Sequence, residues 1–363
     1  MKIGYDYQIF LVQKYGGISR YFVNLFSSIN KYSSDSAEIF APYHQNVYLS
    51  NHAQTKKRNK YLNQIPKRTG IPFSIYNSVK SSFEINKENI EILHQTYYYP
   101  MTPFSKATKI LTVFDFVHEL FPVPRAVMHS KIKNNAIKKS DHIICISENT
   151  KKDLMNFVDI DESKVSVVYL GYEIEEKSIE VEADYNFPYL LYVGNRGGYK
   201  NFENYIRAVS LSKKIVNEFK LIFFGGGEFI SYERELIKEL NLTEHVIWTS
   251  GSDKTLMSLY ANAQIFVYPS LYEGFGLPPL EAMSNNCPVV CSDSSSIPEV
   301  VGEAGKYFDP NDIESISNVI EEVAYNDNLK NDLVALGREN LKRFNWKKTA
   351  LETLDIYKKF SRF

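Results

Sequence analysis

The stretch YPSLYEGFGLPPLEAM, residues 268–283, completes the apolar run AQIFVYPS and leads into a helical pattern. A short apolar run, a glycine-bearing loop and then a helix make the repeating unit of a parallel sheet covered by helices. Pro278 and Pro279 fit the first turn of that helix, where a backbone N–H has no internal partner. Gly274 and Gly276 let the loop bend and let a ligand come close to the main chain. The amides of Phe275, Gly276 and Leu277 then point outward at the positive end of the helix dipole, which favours a phosphate. Glu273 lies in the loop, and Glu281 sits about one turn inside the helix, roughly 6 Å along its axis. Two hydroxyl-binding carboxylates thus bracket one diphosphate-binding helix start. Solvated surface charges, the fate of most glutamates, are the alternative.

Outward from this stretch the same alternation recurs. MKIGY, AEIFAPY, IEILHQ, KILTVFD, HIICIS and VSVVYLG have strand length, and helical patterns such as GGISRYFVNLFSSINKY and PRAVMHSKIKNNAIKKS lie between them. The polar passage YEIEEKSIEVEADYNF interrupts the pattern and reads as a linker. Alternation restarts with PYLLYVGN, FKLIFFGGG, HVIWTS, AQIFVYPS and PVVCSD. The expected architecture is α/β, with two Rossmann-like doubly wound domains at 1–183 and 184–345 facing a central cleft. The last segment, 346–363, is expected to be a helix that packs back on the domains, crossing to the N-terminal one.

At 363 residues the chain exceeds the usual size of a single core, and 44% hydrophobic with 23% charged residues is the balance of a folded globular protein. A formal net charge of −1 argues against nucleic acid as a partner of the whole protein. Cys145, Cys287 and Cys291 form no metal-like cluster and read as buried thiols of a reducing cytoplasm. No signal peptide is expected from MKIGYDYQIF, and no apolar run is long enough to span a membrane. One local asymmetry stands out. No acidic residue occurs between Glu38 and Glu84, while Lys56, Lys57, Arg58, Lys60, Lys67, Arg68 and Lys80 supply seven positive charges. This run is either a solvated loop or a surface facing anionic lipid or a charged acceptor.

The run 268–283 resembles the glutamate-seven-residues-glutamate motif of the retaining glycosyltransferases of family 4, which have the GT-B fold. NNCPVVCSDSSSIPEVVGEAGKYFDPND, LYVGNRGGYKN, GGISRYF and ISENTKKDL also resemble segments of that family, in the expected order along most of the chain. The resemblance implies transfer of a sugar from a nucleoside diphosphate sugar with retention of anomeric configuration. By it, Glu273 holds donor sugar hydroxyls, Glu281 holds the ribose, and Arg196 and Lys200 of GNRGGYKN neutralise the diphosphate. The arginine-to-lysine spacing varies in the family, so Lys200, next to Asn201, is the firmer carry-over; a solvated loop is the alternative for both.

In the first domain, Gly16 and Gly17 lie between the first strand and first helix, where they permit close approach to the donor phosphate or form an ordinary tight turn. Ser19 can cap that helix. Many family members carry a histidine after a strand of this domain; here Phe114 precedes Asp115, and His118 three residues on is expected to take that role unless it is structural. Asp115, Glu119, His94 and the loop Tyr97, Tyr98 and Tyr99 are candidates for acceptor contacts, with surface packing as the plainer alternative for the tyrosines. The aspartates of DID at 159–161 have metal-motif spacing but sit in a helix-to-strand turn, and no metal is assigned to them. GGGE at 225–228, with Gly226 at its centre, lacks full dinucleotide spacing and is expected to line the nucleotide pocket.

The function expected is a retaining hexosyltransferase, GDP-mannose being the leading donor on resemblance alone, with a glycan or lipid-linked oligosaccharide as acceptor in surface polysaccharide synthesis. No cofactor or metal is expected, because basic side chains and the helix start supply the positive field. A cytoplasmic location, peripheral on the inner membrane face through the basic run, completes the expectation. A UDP-sugar transferase, a nucleotide-sugar epimerase and a non-catalytic sugar-nucleotide binder are the alternatives.

Overall fold

The computed structural model describes residues 1–52, 59–66, 69–99, 105–122, 126–173 and 185–361. Its chain divides into two compact units, Met1–Gly171 with Asn345–Phe363, and Tyr172–Phe344. The boundary expected at 183/184 lies outside the described residues, as do Lys56, Lys57, Arg58, Lys67 and Arg68 of the basic run.

Unit 1 holds strands β1 (Lys2–Tyr5), β2 (Ser36–Ile39), β3 (Tyr43–His44), β4 (Lys60–Tyr61), β5 (Ile92–Gln95), β6 (Thr108–Val113), β7 (His142–Cys145) and β8 (Val165–Val167). Six of them form one sheet in the order β2-β1-β5-β6-β7-β8, every neighbouring pair parallel. β3 and β4 form a separate two-residue ladder. Unit 2 holds β9 (Tyr189–Val193), β10 (Lys220–Phe224), β11 (Val246–Thr249), β12 (Ile265–Tyr268), β13 (Val289–Ser292) and β14 (Gly305–Phe308). Their order is β11-β10-β9-β12-β13-β14, again all parallel. The central strands β5, β7, β12 and β13 are buried at every position. Sheets covered on both faces require this, and it explains why these strands read as unbroken apolar runs rather than alternating ones.

Strand order decides where a ligand can enter. In unit 2 the chain runs outward from β9 through β10 to β11, then returns to the other side of β9 with β12. Loops leaving β9 and β12 therefore diverge to opposite faces and leave a crevice at the carboxyl ends of these two strands. In unit 1 the equivalent reversal lies between β1 and β5.

The terminal helix Trp346–Phe360 belongs to unit 1. Asn345 caps it by accepting from the Lys348 amide at 2.9 Å, and it buries Ala350, Leu354, Ile356 and Tyr357. The Leu354 and Ile356 side chains each contribute about 2 kcal/mol on burial, and the Ala350 methyl less. The Tyr357 hydroxyl reaches the Tyr5 hydroxyl at 3.2 Å and bonds the His94 ring in the centre of the unit.

Candidate functional site

Lys200 and Glu273 meet at the unit 2 crevice, Lys200 Nζ donating to Glu273 Oε1 at 2.6 Å. One comes from the loop after β9 and the other from the loop after β12, so the topology brings together two residues 73 positions apart. The β9 loop is fixed from below, because the buried Tyr192 hydroxyl donates to the carbonyls of Asn195 (2.6 Å) and Lys200 (3.3 Å). It is tied to its neighbour through the Leu271 amide, which donates to the Tyr199 carbonyl at 2.7 Å. Asn201 turns the chain with φ of +58° and donates its amide to the Pro310 carbonyl at 2.8 Å.

Two serines after β13 hold the Glu273 loop. The Glu273 amide donates to Ser295 Oγ at 2.8 Å, and Ser296 Oγ donates to the carbonyls of Glu273 (2.8 Å) and Phe275 (3.0 Å). Ser295 takes a left-handed φ of +53° to do this, a conformation uncommon outside glycine and asparagine. The Tyr268 phenol stays neutral, raised well above its ordinary range by burial first and by the Glu273 charge second.

The helix Leu277–Ser284 starts as expected, with Gly276 at φ +103° before it and prolines in the first turn. Those prolines remove two of the amides a helix start would otherwise present. Among the described residues the Gly276 and Leu277 amides make no hydrogen bond. The Phe275 ring is buried against Phe344, with centroids 5.7 Å apart, so the side chain belongs to the core. Glu281 is half-buried, and its Oε2 accepts from the Tyr260 hydroxyl at 3.3 Å.

Arg196 does something other than the diphosphate contact expected of it. Its Nε donates to Glu233 Oε1 at 3.1 Å, Nη1 to the Gly225 carbonyl at 3.2 Å, and Nη2 to those of Gly227 (2.7 Å) and Glu228 (3.0 Å). The guanidinium lies 4.6 Å from the centre of the Phe229 ring, and the residue is 6% exposed. It buckles the glycine turn after β10 to the loop after β9. Gly225, Gly226 and Gly227 all have left-handed φ, and a Cβ on Gly226 would lie 2.6 Å from the Gly194 carbonyl. Gly226 is thus required by packing between two loops.

In unit 1, Gly16 precedes the helix Gly17–Tyr32, and a Cβ there would lie 2.3 Å from Gln13 Oε1. That oxygen accepts from the Ser19 amide at 3.1 Å, so Gln13 supplies the cap expected of Ser19, whose hydroxyl instead donates to the Gly16 carbonyl. A Cβ on Gly17 would meet open space.

His94 is not an acceptor residue in this structure. It is fully buried on β5, where Nε2 lies 2.8 Å from Thr112 Oγ1 and Nδ1 bonds the Tyr357 hydroxyl. Burial drives its pKa down to about 3, holding the ring neutral. Tyr98 is likewise a core residue, packed with Val113 and Phe116, its hydroxyl accepting from the Phe114 amide at 3.4 Å. Asp115 Oδ1 accepts from the Val117 amide at 3.2 Å, closing a local turn. His118 packs its ring edge-on against His129, 4.7 Å between centroids. Asp161 of the DID pair accepts from the Ser163 amide at 2.9 Å, capping a single helical turn.

Sequence reasoning missed two buried charged groups here. Lys133 pairs with Glu119 at 2.7 Å and lies 4.0 Å from the Phe116 ring centre. Asp6, directly after β1, accepts from the amides of Thr96 (3.0 Å) and Gln8 (3.3 Å), from Thr96 Oγ1 (2.6 Å) and from Gln8 Nε2 (2.8 Å). A carboxylate at the end of a strand was the available signal for the second; nothing local in KIKNNAIKK marks Lys133 as buried.

Known proteins resemble this chain along most of its length. Residues 15–176 match the family described as Glycosyltransferase Family 4, and residues 173–340 match that described as Glycosyl transferases group 1. The O-antigen chain mannosyltransferase B of Escherichia coli is 39% identical over 47% of this chain and 45% of its own length. For the O-antigen chain mannosyltransferase RfbU of Salmonella typhimurium the values are 29%, 52% and 52%. The chain thus spans about half the length of these curated relatives. Among solved structures, the sucrose-phosphate synthase of Thermosynechococcus elongatus superposes with a TM-score of 0.76 at 18% identity, covering 99% of this chain and 98% of that one, a likeness of fold.

Proposed function

The chain belongs to the glycosyltransferases of family 4 and has their GT-B fold, and from that premise we propose that it transfers a hexose, mannose from GDP-mannose first among the choices, to a glycan or lipid-linked acceptor in surface polysaccharide synthesis. The observation that carries this reading is the Lys200–Glu273 pair at the β9/β12 crevice, beside a helix start whose Gly276 and Leu277 amides have no partner among the described residues. The Escherichia coli and Salmonella relatives are both O-antigen chain mannosyltransferases, which favours mannose.

In the bound state Lys200 turns from Glu273 to the diphosphate, and Glu273 accepts from hydroxyls of the donor sugar. The pair keeps both groups in place beforehand, so little ordering remains when the donor arrives. Transfer breaks the bond between the anomeric carbon and the diphosphate oxygen, and the acceptor hydroxyl oxygen bonds that carbon on the same face. The hydroxyl proton passes to the leaving diphosphate. Charge grows on that diphosphate as the bond breaks, and Lys200 with the two amides meets it without a metal; one such donor is worth about 3 kcal/mol in comparable sites. Contact of the basic run with an anionic membrane face belongs to the same proposal.

A panel of nucleoside diphosphate sugars tested by thermal shift selects the donor, since a ligand at 100 times its Kd adds about 2.7 kcal/mol of apparent stability. GDP-mannose is expected to give the largest shift; a larger shift with a UDP-sugar transfers the proposal to that donor. Lys200→Ala is expected to lower acceptor-dependent release of nucleoside diphosphate by 100-fold or more while the fold persists, about 3 kcal/mol of lost transition-state stabilisation. Unchanged release would remove Lys200 from the site.

A further inference from the structure

The helix Gly70–Lys87 of unit 1 is folded inside out. Its buried face carries Asn77, Ser78, Ser81, Ser82 and only one aliphatic residue, Ile85. The Asn77 side chain accepts from the Tyr43 amide at 3.0 Å and donates to the Tyr43 carbonyl at 2.8 Å, and Ser81 Oγ donates to the Phe40 carbonyl at 3.1 Å. Polar side chains thus anchor the helix to the unit. Ile71, Ile75, Val79 and Phe83, each four residues after the last, form a stripe in solvent, every one more than half exposed and Ile71 and Phe83 at 75% and 70%. Tyr76 widens the stripe. Residues at this spacing lie one above another on a helix, so the stripe runs about 18 Å along the axis. Single exposed apolar residues are ordinary, but four in register mark a surface built to be covered.

Charge says what covers it. Lys80 lies on the same helix, 5.9 Å from the Tyr76 ring centre, and Lys60 lies 5.8 Å from the ring centre of Tyr43, the residue that Asn77 grips. From Lys60 to Phe83 the sequence has no acidic residue; the first is Glu84, 4.0 Å from Lys80. An apolar stripe edged by lysines has the composition of a helix lying in the plane of a bilayer whose headgroups are anionic. A second copy of the chain fits less well, because a two-fold contact through this stripe sets the same lysines of both copies against each other. Among the described residues no helix is long and apolar enough to cross a membrane.

We infer that the outer face of the helix Gly70–Lys87 is a docking surface for an anionic lipid bilayer, with Ile71, Ile75, Val79 and Phe83 entering the boundary between headgroups and acyl chains. This deepens the membrane contact proposed above by giving it an apolar seat, and it does not depend on the transfer reaction.

Sedimentation of the full chain with vesicles tests it, using phosphatidylcholine with about 30 mol% phosphatidylglycerol, and pure phosphatidylcholine as the comparison. The chain is expected to pellet with the anionic vesicles. The pair I75D/V79D, at exposed positions, is expected to lower the vesicle partition coefficient at least tenfold with an unchanged thermal midpoint, and I71S/F83S is expected to lower it in the same direction. A chain that stays in the supernatant overturns the inference, as does an apolar-stripe variant that pellets like the parent, which would leave the basic residues acting alone. A parent dimer that I75D/V79D dissociates, without vesicle binding, assigns the stripe to a second copy and also overturns it. Donor turnover on a soluble acceptor, measured on the same variants, reports the transferase reading separately and is expected not to change.

Discussion

The two units put carboxylates at the same topological place and treat them differently. At the reversal between β1 and β5, Asp6 is fully buried with four donors directed at it from Thr96 and Gln8. At the reversal between β9 and β12, Glu273 has, among the described residues, Lys200 as its cationic partner and a hydrogen bond from the Tyr268 hydroxyl, and both side chains of the ion pair remain partly accessible, 19% for Lys200 and 13% for Glu273. Topology supplies a crevice in each case. Whether that crevice can take an anionic ligand depends on how far its polar groups are already satisfied. Asp6 is closed off by local hydrogen bonds, while Lys200 and Glu273 can exchange one partner for another.

Arg196 sharpens the contrast, since it brings the closed kind of arrangement into unit 2. Its guanidinium satisfies three carbonyls and the Glu233 carboxylate in a nearly dry position. Arg196→Met is therefore expected to destabilise unit 2 by about 3–5 kcal/mol, because Glu233 is left buried without its cation. Urea unfolding followed through Trp248, the tryptophan of unit 2, measures this. An unchanged midpoint combined with weaker donor binding would return Arg196 to the ligand and break the comparison.

Acid separates the units by a smaller amount. Six of the seven histidines, all but His245, belong to unit 1. Burial lowers His94 to about 3, and His44 and His142 each to about 4. A histidine held neutral in the folded state contributes stability that is fully present above its unfolded pKa, near 6.5, and is lost as pH falls toward the folded value. For His94 alone this amounts to about 2 kcal/mol between pH 6.5 and pH 5, at 1.36 kcal/mol per pH unit. Asp6 works with the opposite sign: burial raises its pKa, so its protonation on acidification relieves a cost. Net loss is still expected, since three histidines oppose one aspartate. Urea midpoints read through Trp346 in unit 1 are expected to fall between pH 7.5 and 5 more than those read through Trp248, and His94→Gln is expected to flatten the Trp346 profile. Equal slopes for both reporters would show that the histidines are not what distinguishes the units.

Much of this was legible in the sequence, for reasons that also explain what was not. Apolar runs and helical spacing expose a doubly wound architecture because strands buried on both faces cannot hide their composition. The loop position of Glu273 and the helical position of Glu281 were legible because a glycine-proline helix entry constrains a few adjacent residues, whereas Lys200 was singled out only by the resemblance of GNRGGYKN. The buried contacts of Arg196 were not legible because its partners lie near residues 225–233, and a guanidinium gives no local sign of which carbonyls it will find. His94 was misread for a related reason. In a strand buried on both faces no polar side marks a way out, so a histidine beside an aromatic loop resembles a site although it lies among Tyr5, Phe22 and Tyr357. The basic run drew attention to its charges, while the exposure of Ile71, Ile75 and Val79, which lie between Arg68 and Lys80 in the sequence, had no sign in their residue types.

The smallest expected effect tests the far side of the open crevice. The Tyr260 hydroxyl donates to Glu281 Oε2 at 3.3 Å, and burial together with the Glu281 charge keeps that phenol neutral, well above its ordinary pKa. One neutral donor to a carboxylate that has other interactions is worth about 1 kcal/mol net, so Tyr260→Phe is expected to weaken nucleoside diphosphate binding about fivefold by titration calorimetry. Position matters more here than energy, because the hydroxyl sets where the carboxylate points. If Glu281 holds the ribose, the loss falls on the natural nucleotide and largely spares an analogue lacking the ribose hydroxyls. Equal loss with both would mean that Tyr260 supports the helix rather than the ligand. Glu281 would then join Arg196 among the groups that hold the unit 2 crevice together, leaving Lys200 and Glu273 as its open pair.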